Sequence, residues 1–345
     1  MRRLMLAAIA AALMATPALA LDAPAAGPAP ARPLAGANDP RCQRALAYSA
    51  ARRGAAVLVL KDGKPICEGY AGEGAPDHPM ETASGTKSFS GAILAAAVQD
   101  GLLTLDEPVA RTITEWQADP RKARVTIRQL LSLSSGMPST VGRPPTYAGA
   151  VAMPLTEEPG TAFLYGPGPY QLFGEVMRRK LVASGQPGDP YAYLKRRVLD
   201  PIGLVPGDWR RLPGGDALLP QGAVLTAREW AKYGEFIRAG GKVKGKQIVD
   251  AATLKAVFVP SAVNPAYGLT WWLPHNGPRM GAAGVAEDYS QVPADMVMAR
   301  GAGDQRLIVI PSRGITAARL AAFTGLGRQA GPAWSDVEFI RNFTD

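Results

Sequence analysis

The chain has 345 residues, 47% of them apolar and 19% charged, enough to bury a substantial core in one large or two modest domains and too apolar to stay disordered. Lys and Arg number 38 against 29 Asp and Glu, a formal charge of +9. No aromatic-basic interleaving or reading motif accompanies that excess, which excludes the usual nucleic-acid binder, and Arg178-Arg179-Lys180 and Lys195-Arg196-Arg197 read as solvated helix faces.

At the start, Arg2 and Arg3 precede an almost unbroken apolar run from Leu4 to Met14, then Ala18-Leu19-Ala20. A charged, an apolar and a small-residue region in that order predict a signal peptide, residues 1–20, cleaved after Ala20, and therefore a periplasmic or secreted protein. The export route, general or twin-arginine, stays open. No later stretch approaches about 18 uninterrupted apolar residues, so no membrane span is expected after cleavage. Residues 21–40, rich in Ala and Pro, read as a flexible leader, with folding starting near Asp39.

Ala55 to Leu60 and Pro65 to Tyr70, separated by a turn with Asp62-Gly63, predict a β-hairpin. After Thr82, the spacing of Phe89, Ile93, Leu94 and Val98 predicts a helix that stops at Asp100-Gly101. Helical patterns follow over Ile127 to Leu133, Tyr170 to Ala183, Tyr191 to Leu199 and Ala227 to Ala239. Strand-like runs return at Tyr267 to Leu273, Met296 to Arg300, Arg306 to Ile310 and Ile315 to Ala318, before a closing helix from Ser335 to Phe343. Strands at both ends with helices between predict an α+β fold. An antiparallel sheet flanked by helices spans 41–102 and 255–345, and an all-helical domain, 103–254, is inserted in it.

Cys42 and Cys67 are the only cysteines. In an exported chain they read as a disulfide tying the N-terminal segment to the hairpin, or else as two buried thiols. Two isolated histidines, His78 and His275, offer no metal ligand set, no cofactor is expected, and a Ser-His-Asp hydrolase would have to draw its base from one of these two, which read as loop residues, and has no Gly-x-Ser-x-Gly turn. Chemistry falls instead to Ser84-Gly85-Thr86-Lys87, which opens the first helix with a hydroxyl and an amine on one face. Burial and the positive helix start would lower the pKa of Lys87 until it can act as a base, and the Ser84 N–H faces a developing oxyanion.

Several stretches, in order, resemble the serine beta-lactamase-like family, which takes in class C beta-lactamases, penicillin-binding proteins, family VIII esterases and 6-aminohexanoate-dimer hydrolases. They are Thr86 to Gly91, Asp100 to Val109, Val125 to Ser132 with Ser135-Gly136, Tyr191 to Leu204 including Leu199 to Leu204, and Leu225 to Trp230. The resemblance implies that Ser84 is the nucleophile, Lys87 its base, and Tyr165 the proton shuttle, the alternative for Tyr165 being a packed aromatic at a helix entry. It also implies an oxyanion strand, matched by Ala299-Arg300-Gly301-Ala302, with Gly301 and Ala302 at the substrate and Arg300 either holding a substrate carboxylate or solvating a strand end. His275-Asn276-Gly277 fits the bare strand motif as well. Two departures stand out: Gly166 and Pro167 replace the usual Ser and Asn after the tyrosine, and Ala299 replaces the usual basic residue. Together these imply an acyl-enzyme hydrolase of small esters or short amides rather than a true beta-lactamase, its partners being that small-molecule substrate and, as a further candidate, peptidoglycan fragments. The rival is a non-catalytic envelope protein that binds peptidoglycan or a protein partner. Trp271 and Trp272 read either as acyl-pocket lining or as core.

Overall fold

The computed structural model describes residues 32–277, 287–323 and 332–344. The signal peptide expected at 1–20 lies outside them. The chain opens with β1 (Arg32–Ala35) and α1 (Pro40–Ala50), then the hairpin β2 (Gly54–Lys61) and β3 (Lys64–Tyr70), and a short β4 (Met80–Glu81). Next come α2 (Ser88–Gln99), α3 (Ile127–Leu131), α4 (Tyr147–Ala152), α5 (Gly168–Ala183) and α6 (Pro190–Leu194). β5 (Asp208–Trp209) and β6 (Ala223–Leu225) precede α7 (Ala227–Arg238), and β7 (Lys242–Val243) and β8 (Lys246–Gln247) precede α8 (Ala251–Ala256). The chain closes with β9 (Val297–Gly301), β10 (Gln305–Ile310), β11 (Ile315–Ala321) and α9 (Asp336–Thr344).

Six strands form one antiparallel sheet in the order β1-β3-β2-β11-β10-β9, so its centre joins the two halves of the chain and β9 is an edge. Its strands alternate with period two. Val57, Val59, Ile308 and Ile310 face α1 and α9 in one core, while Ala56, Leu58, Leu307 and Val309 face the other, larger core that holds α2. α2 is buried from Ser88 to Ala97, apolar on all sides, as befits a helix enclosed by other elements rather than laid on a surface. Cys42 of α1 and Cys67 of β3 are joined by a disulfide, which fastens α1 to the sheet.

Four expectations need correction. The leader does not run to residue 40, because Arg32–Ala35 pairs with β3. Main-chain hydrogen bonding at a sheet edge requires no apolar pattern and tolerates Pro33, so the sequence carries no sign of it. Tyr267 to Leu273 is not a strand but a tight turn with Thr270 at φ +78°, and it pairs with the sheet through an isolated bridge from Trp272 to Met298. The inserted region is not all helical: β4, β6 and β5 form a three-stranded sheet, and β7 and β8 pair with each other. Nor does α7 stay within an inserted domain, since it lies on the main sheet, where Thr316 Oγ1 donates to Glu235 at 2.5 Å.

Candidate active site

The Ser84 segment is built before any chemistry is considered. Residues Ala83–Lys87 form a 3-10 turn that runs directly into α2. Ala83 sits at φ +47°, in the left-handed region, which costs a non-glycine residue about 1 kcal/mol and marks a turn held by its surroundings. Those surroundings are visible. Thr86 Oγ1 donates to Ala83 O at 2.7 Å and accepts from Ala223 N at 3.1 Å, which ties the turn to β6. Gly85 lies against the Trp230 ring, where a Cβ would come within 2.6 Å of it.

Lys87 is buried at 3% exposure, and its Nζ donates to Ser84 Oγ at 3.0 Å and to the Pro220 carbonyl at 3.2 Å. The Tyr165 and Tyr170 rings lie 4.9 and 5.6 Å from that nitrogen. Burial pushes the lysine down from its ordinary 10.5 to about 7, so near neutral pH the amine is available as a base. Tyr165 enters from the segment before α5 and lines the same groove as Ser84 and Lys87. Burial raises the pKa of that phenol, and the Ser84 hydroxyl and the Arg300 charge lower it in part. Ser84, Lys87 and Tyr165 are thus brought together, as the spacing of the first two and the resemblance for the third had implied.

The edge of the sheet closes the opposite side. Gly301, the last residue of β9, packs so tightly on the Ser84 turn that a Cβ there would lie 2.1 Å from Thr82 O. Only glycine lets the strand reach this position without displacing backbone. Ala302 lines the groove beside it. Arg300 is not among the residues that line the groove; its guanidinium lies 3.9 Å from the buried Asp336 carboxylate and 5.3 Å from the Trp272 ring. His275, of the competing motif, lies on a 3-10 turn with Nδ1 3.2 Å from Tyr289 O, also outside the groove lining. Trp271 is fully buried in the core and Trp272 packs on Tyr165 at 5.7 Å, so neither faces the groove.

The groove holds about 230 Å³. Its lining combines apolar groups, Val141, Tyr165, Pro167 and Phe323, with polar ones, Glu81, Arg210 and Gln221. Pro167 stands at the start of α5 and presents only its ring, so the carboxamide usual at that place is missing. The polar groups were not foreseen. Arg210 donates to Glu81 at 2.5 Å and to Gln221 O at 2.8 Å, contacts that join residues 129 and 11 positions apart. Among the described residues no group of three or more His, Cys, Asp and Glu is placed to hold a metal, and no helix is long and apolar enough to cross a membrane.

Comparison with known proteins adds a family to this geometry. The beta-lactamase family model matches residues 8–337. An uncharacterized protein of Alkalihalophilus pseudofirmus is 24% identical over 331 residues, 85% of this chain and 89% of its own. Among solved structures, a family VIII carboxylesterase superposes with a TM-score of 0.67 at 15% identity, covering 91% of this chain and 98% of that one. A penicillin-binding protein homologue from Caulobacter crescentus does so with a TM-score of 0.65 at 18% identity, covering 84% and 93%. At such identities the superpositions establish a shared fold.

Proposed function

The chain belongs to the beta-lactamase family, whose members are serine hydrolases, and from that premise we propose that it cleaves ester or short amide bonds through an acyl-enzyme on Ser84. The observation that carries the reading is the 3.0 Å contact between Ser84 Oγ and an amine whose burial brings it to about pKa 7. In the neutral state the hydrogen bond reverses, and the hydroxyl donates to Lys87 Nζ. Attack of Ser84 Oγ on the carbonyl passes its proton to Lys87 and forms the tetrahedral intermediate. The N–H groups of Ser84 and of the Gly301-Ala302 edge are the donors to its oxyanion. Collapse expels the leaving group, which takes a proton relayed through the Tyr165 phenol from Lys87. Water then attacks the ester of Ser84, Lys87 again accepting the proton, and on collapse Lys87 returns it to Ser84 Oγ as the acid is released.

Esters and short amides are the favoured substrates because the groove is small and because Pro167 and Ala299 remove polar groups at two positions that resemblance associates with beta-lactam and peptide recognition. The Cys42–Cys67 disulfide supports export to an oxidising compartment, the periplasm or beyond. The same two departures favour a second reading, a non-catalytic envelope protein that binds peptidoglycan or a partner, although pure binding gives no reason to bury an amine against a serine hydroxyl. Hydrolysis of p-nitrophenyl acetate by the mature protein and by Ser84→Ala separates the two. The hydrolase reading expects turnover that the variant loses by at least about 10³-fold. Equal turnover by both proteins removes Ser84 as the nucleophile, and none by either hands the case to the binding protein.

A further inference from the structure

Gln221 half-emerges into the groove, and its side-chain carboxamide makes no hydrogen bond to any described residue. Its main chain, by contrast, is held firmly. Arg210 Nη2 donates to Gln221 O at 2.8 Å while Arg210 Nη1 is anchored on Glu81, three residues before the serine. The preceding residue, Pro220, supplies the carbonyl that accepts from Lys87 Nζ. A main chain held in this way carries an unpaired carboxamide into the groove that Ser84 and Lys87 line together with the apolar Val141, Tyr165 and Phe323.

We infer that Gln221 reads a carboxamide in the acyl group of the substrate, with Arg210 as its positioning residue, so that the groove selects acylamino esters and amides over plain alkanoyl ones. The inference rests on the hydrolase reading and narrows its substrate class. A carboxamide offers both donor and acceptor, and its full complement is another amide, which can pair with it through two antiparallel hydrogen bonds. Charge points the same way. Arg210 and Glu81 neutralise each other at 2.5 Å, so these polar groups carry no net charge with which to prefer a carboxylate or an ammonium group. Pro167 contributes no donor of its own, so that among the described residues lining the groove Gln221 is the one with a side-chain amide. In a groove of this size the acyl portion is short, on the scale of an N-acetylated small amino acid.

The test compares two nearly isosteric esters, p-nitrophenyl N-acetylglycinate and p-nitrophenyl pentanoate, each normalised to its hydroxide-catalysed rate. The wild-type protein should show kcat/KM at least about tenfold higher for the acylamino ester, the size of effect expected of hydrogen bonds in a half-open site. Gln221→Leu should bring that ratio to about 1, Gln221→Glu should lower it as well, and Arg210→Lys should retain more of it than Arg210→Met, mainly through KM. The glutamate variant keeps the test valid where the leucine variant fails to fold. A wild-type ratio near 1, or a preference that survives both Gln221 substitutions, overturns the inference while leaving Ser84-dependent hydrolysis standing. Absence of wild-type hydrolysis of both esters overturns the inference together with the hydrolase reading.

Discussion

Replacing Lys87 with methionine should abolish hydrolysis and at the same time make the protein more stable. Methionine keeps most of the aliphatic volume of the side chain and removes its charge. The drop of the lysine from 10.5 to about 7 corresponds to about 5 kcal/mol for holding the charged amine in this site, at about 1.4 kcal/mol per tenfold. Near pH 7 most of that cost is still present, since half of the native molecules carry the proton and the rest have given it up against an unfolded-state pKa near 10.5. The variant escapes the cost but strips the Pro220 carbonyl of its donor, a loss of about 1–3 kcal/mol. The net expectation is a gain of about 2 kcal/mol, or roughly 4 °C in Tm for a chain of this size. Between pH 7 and about 10 the unfolded chain binds a proton that the native lysine does not, so wild-type stability rises with pH and the advantage of the variant shrinks. Urea unfolding followed by circular dichroism, at pH 7 and pH 9.5 with the disulfide intact, measures both quantities. A Lys87→Met protein less stable than wild type at pH 7, or an advantage that does not change with pH, would refute the reasoning.

Other consequences of the structure are equally open to measurement. The kcat/KM for a p-nitrophenyl ester should rise with pH through about 7 as Lys87 loses its proton, and a profile flat from pH 5 to 9 would remove the lysine as base. Gly301→Val, whose Cβ would press to 2.1 Å from Thr82 O, should cost about 1–3 kcal/mol in stability and lower kcat at least about 100-fold by moving the strand edge away from Ser84; unchanged kinetics would show that this edge takes no part. Replacing Cys42 and Cys67 by serine opens a loop of 25 residues and should cost about 3 kcal/mol, read from the urea midpoint, with no change expected in the pH profile. Asp336, fully buried beside Arg306 at 2.6 Å, is held down at about 2 chiefly by that guanidinium against the opposing effect of burial. Its contribution to stability is present above about pH 4 and fades as the pH falls towards 2, whereas Asp336→Asn should lose about 3–5 kcal/mol already at pH 7.

What the sequence disclosed follows from how locally each feature is specified. The β2–β3 hairpin announces itself through apolar runs around Asp62-Gly63, and α2 through its apolar spacing and its Asp100-Gly101 stop, because both are fixed by neighbours in the chain. Ser84 and Lys87 were legible for the same reason, standing three residues apart at a helix start. β1 was hidden because it pairs through main-chain groups alone, and the Tyr267 to Leu273 run misled because aromatic and branched residues suit a buried turn as well as a strand. Arg300 followed a buried carboxylate contributed by α9, which no local pattern could disclose. The polar lining of the groove was out of reach on similar grounds. Glu81 and Arg210 meet across 129 residues, and the group that steadies Lys87 is a carbonyl, which every residue possesses.

The central claim is that Ser84 is a nucleophile made reactive by an amine that is neutral at working pH. Labelling of the mature protein with a fluorophosphonate at pH 6 and pH 8, with the adduct mapped by peptide mass spectrometry, tests it directly. The account predicts a single adduct on Ser84 that forms several-fold faster at pH 8, and none in Lys87→Met over the same time. An adduct on another residue, or labelling of Ser84 that proceeds equally fast without Lys87, would contradict it.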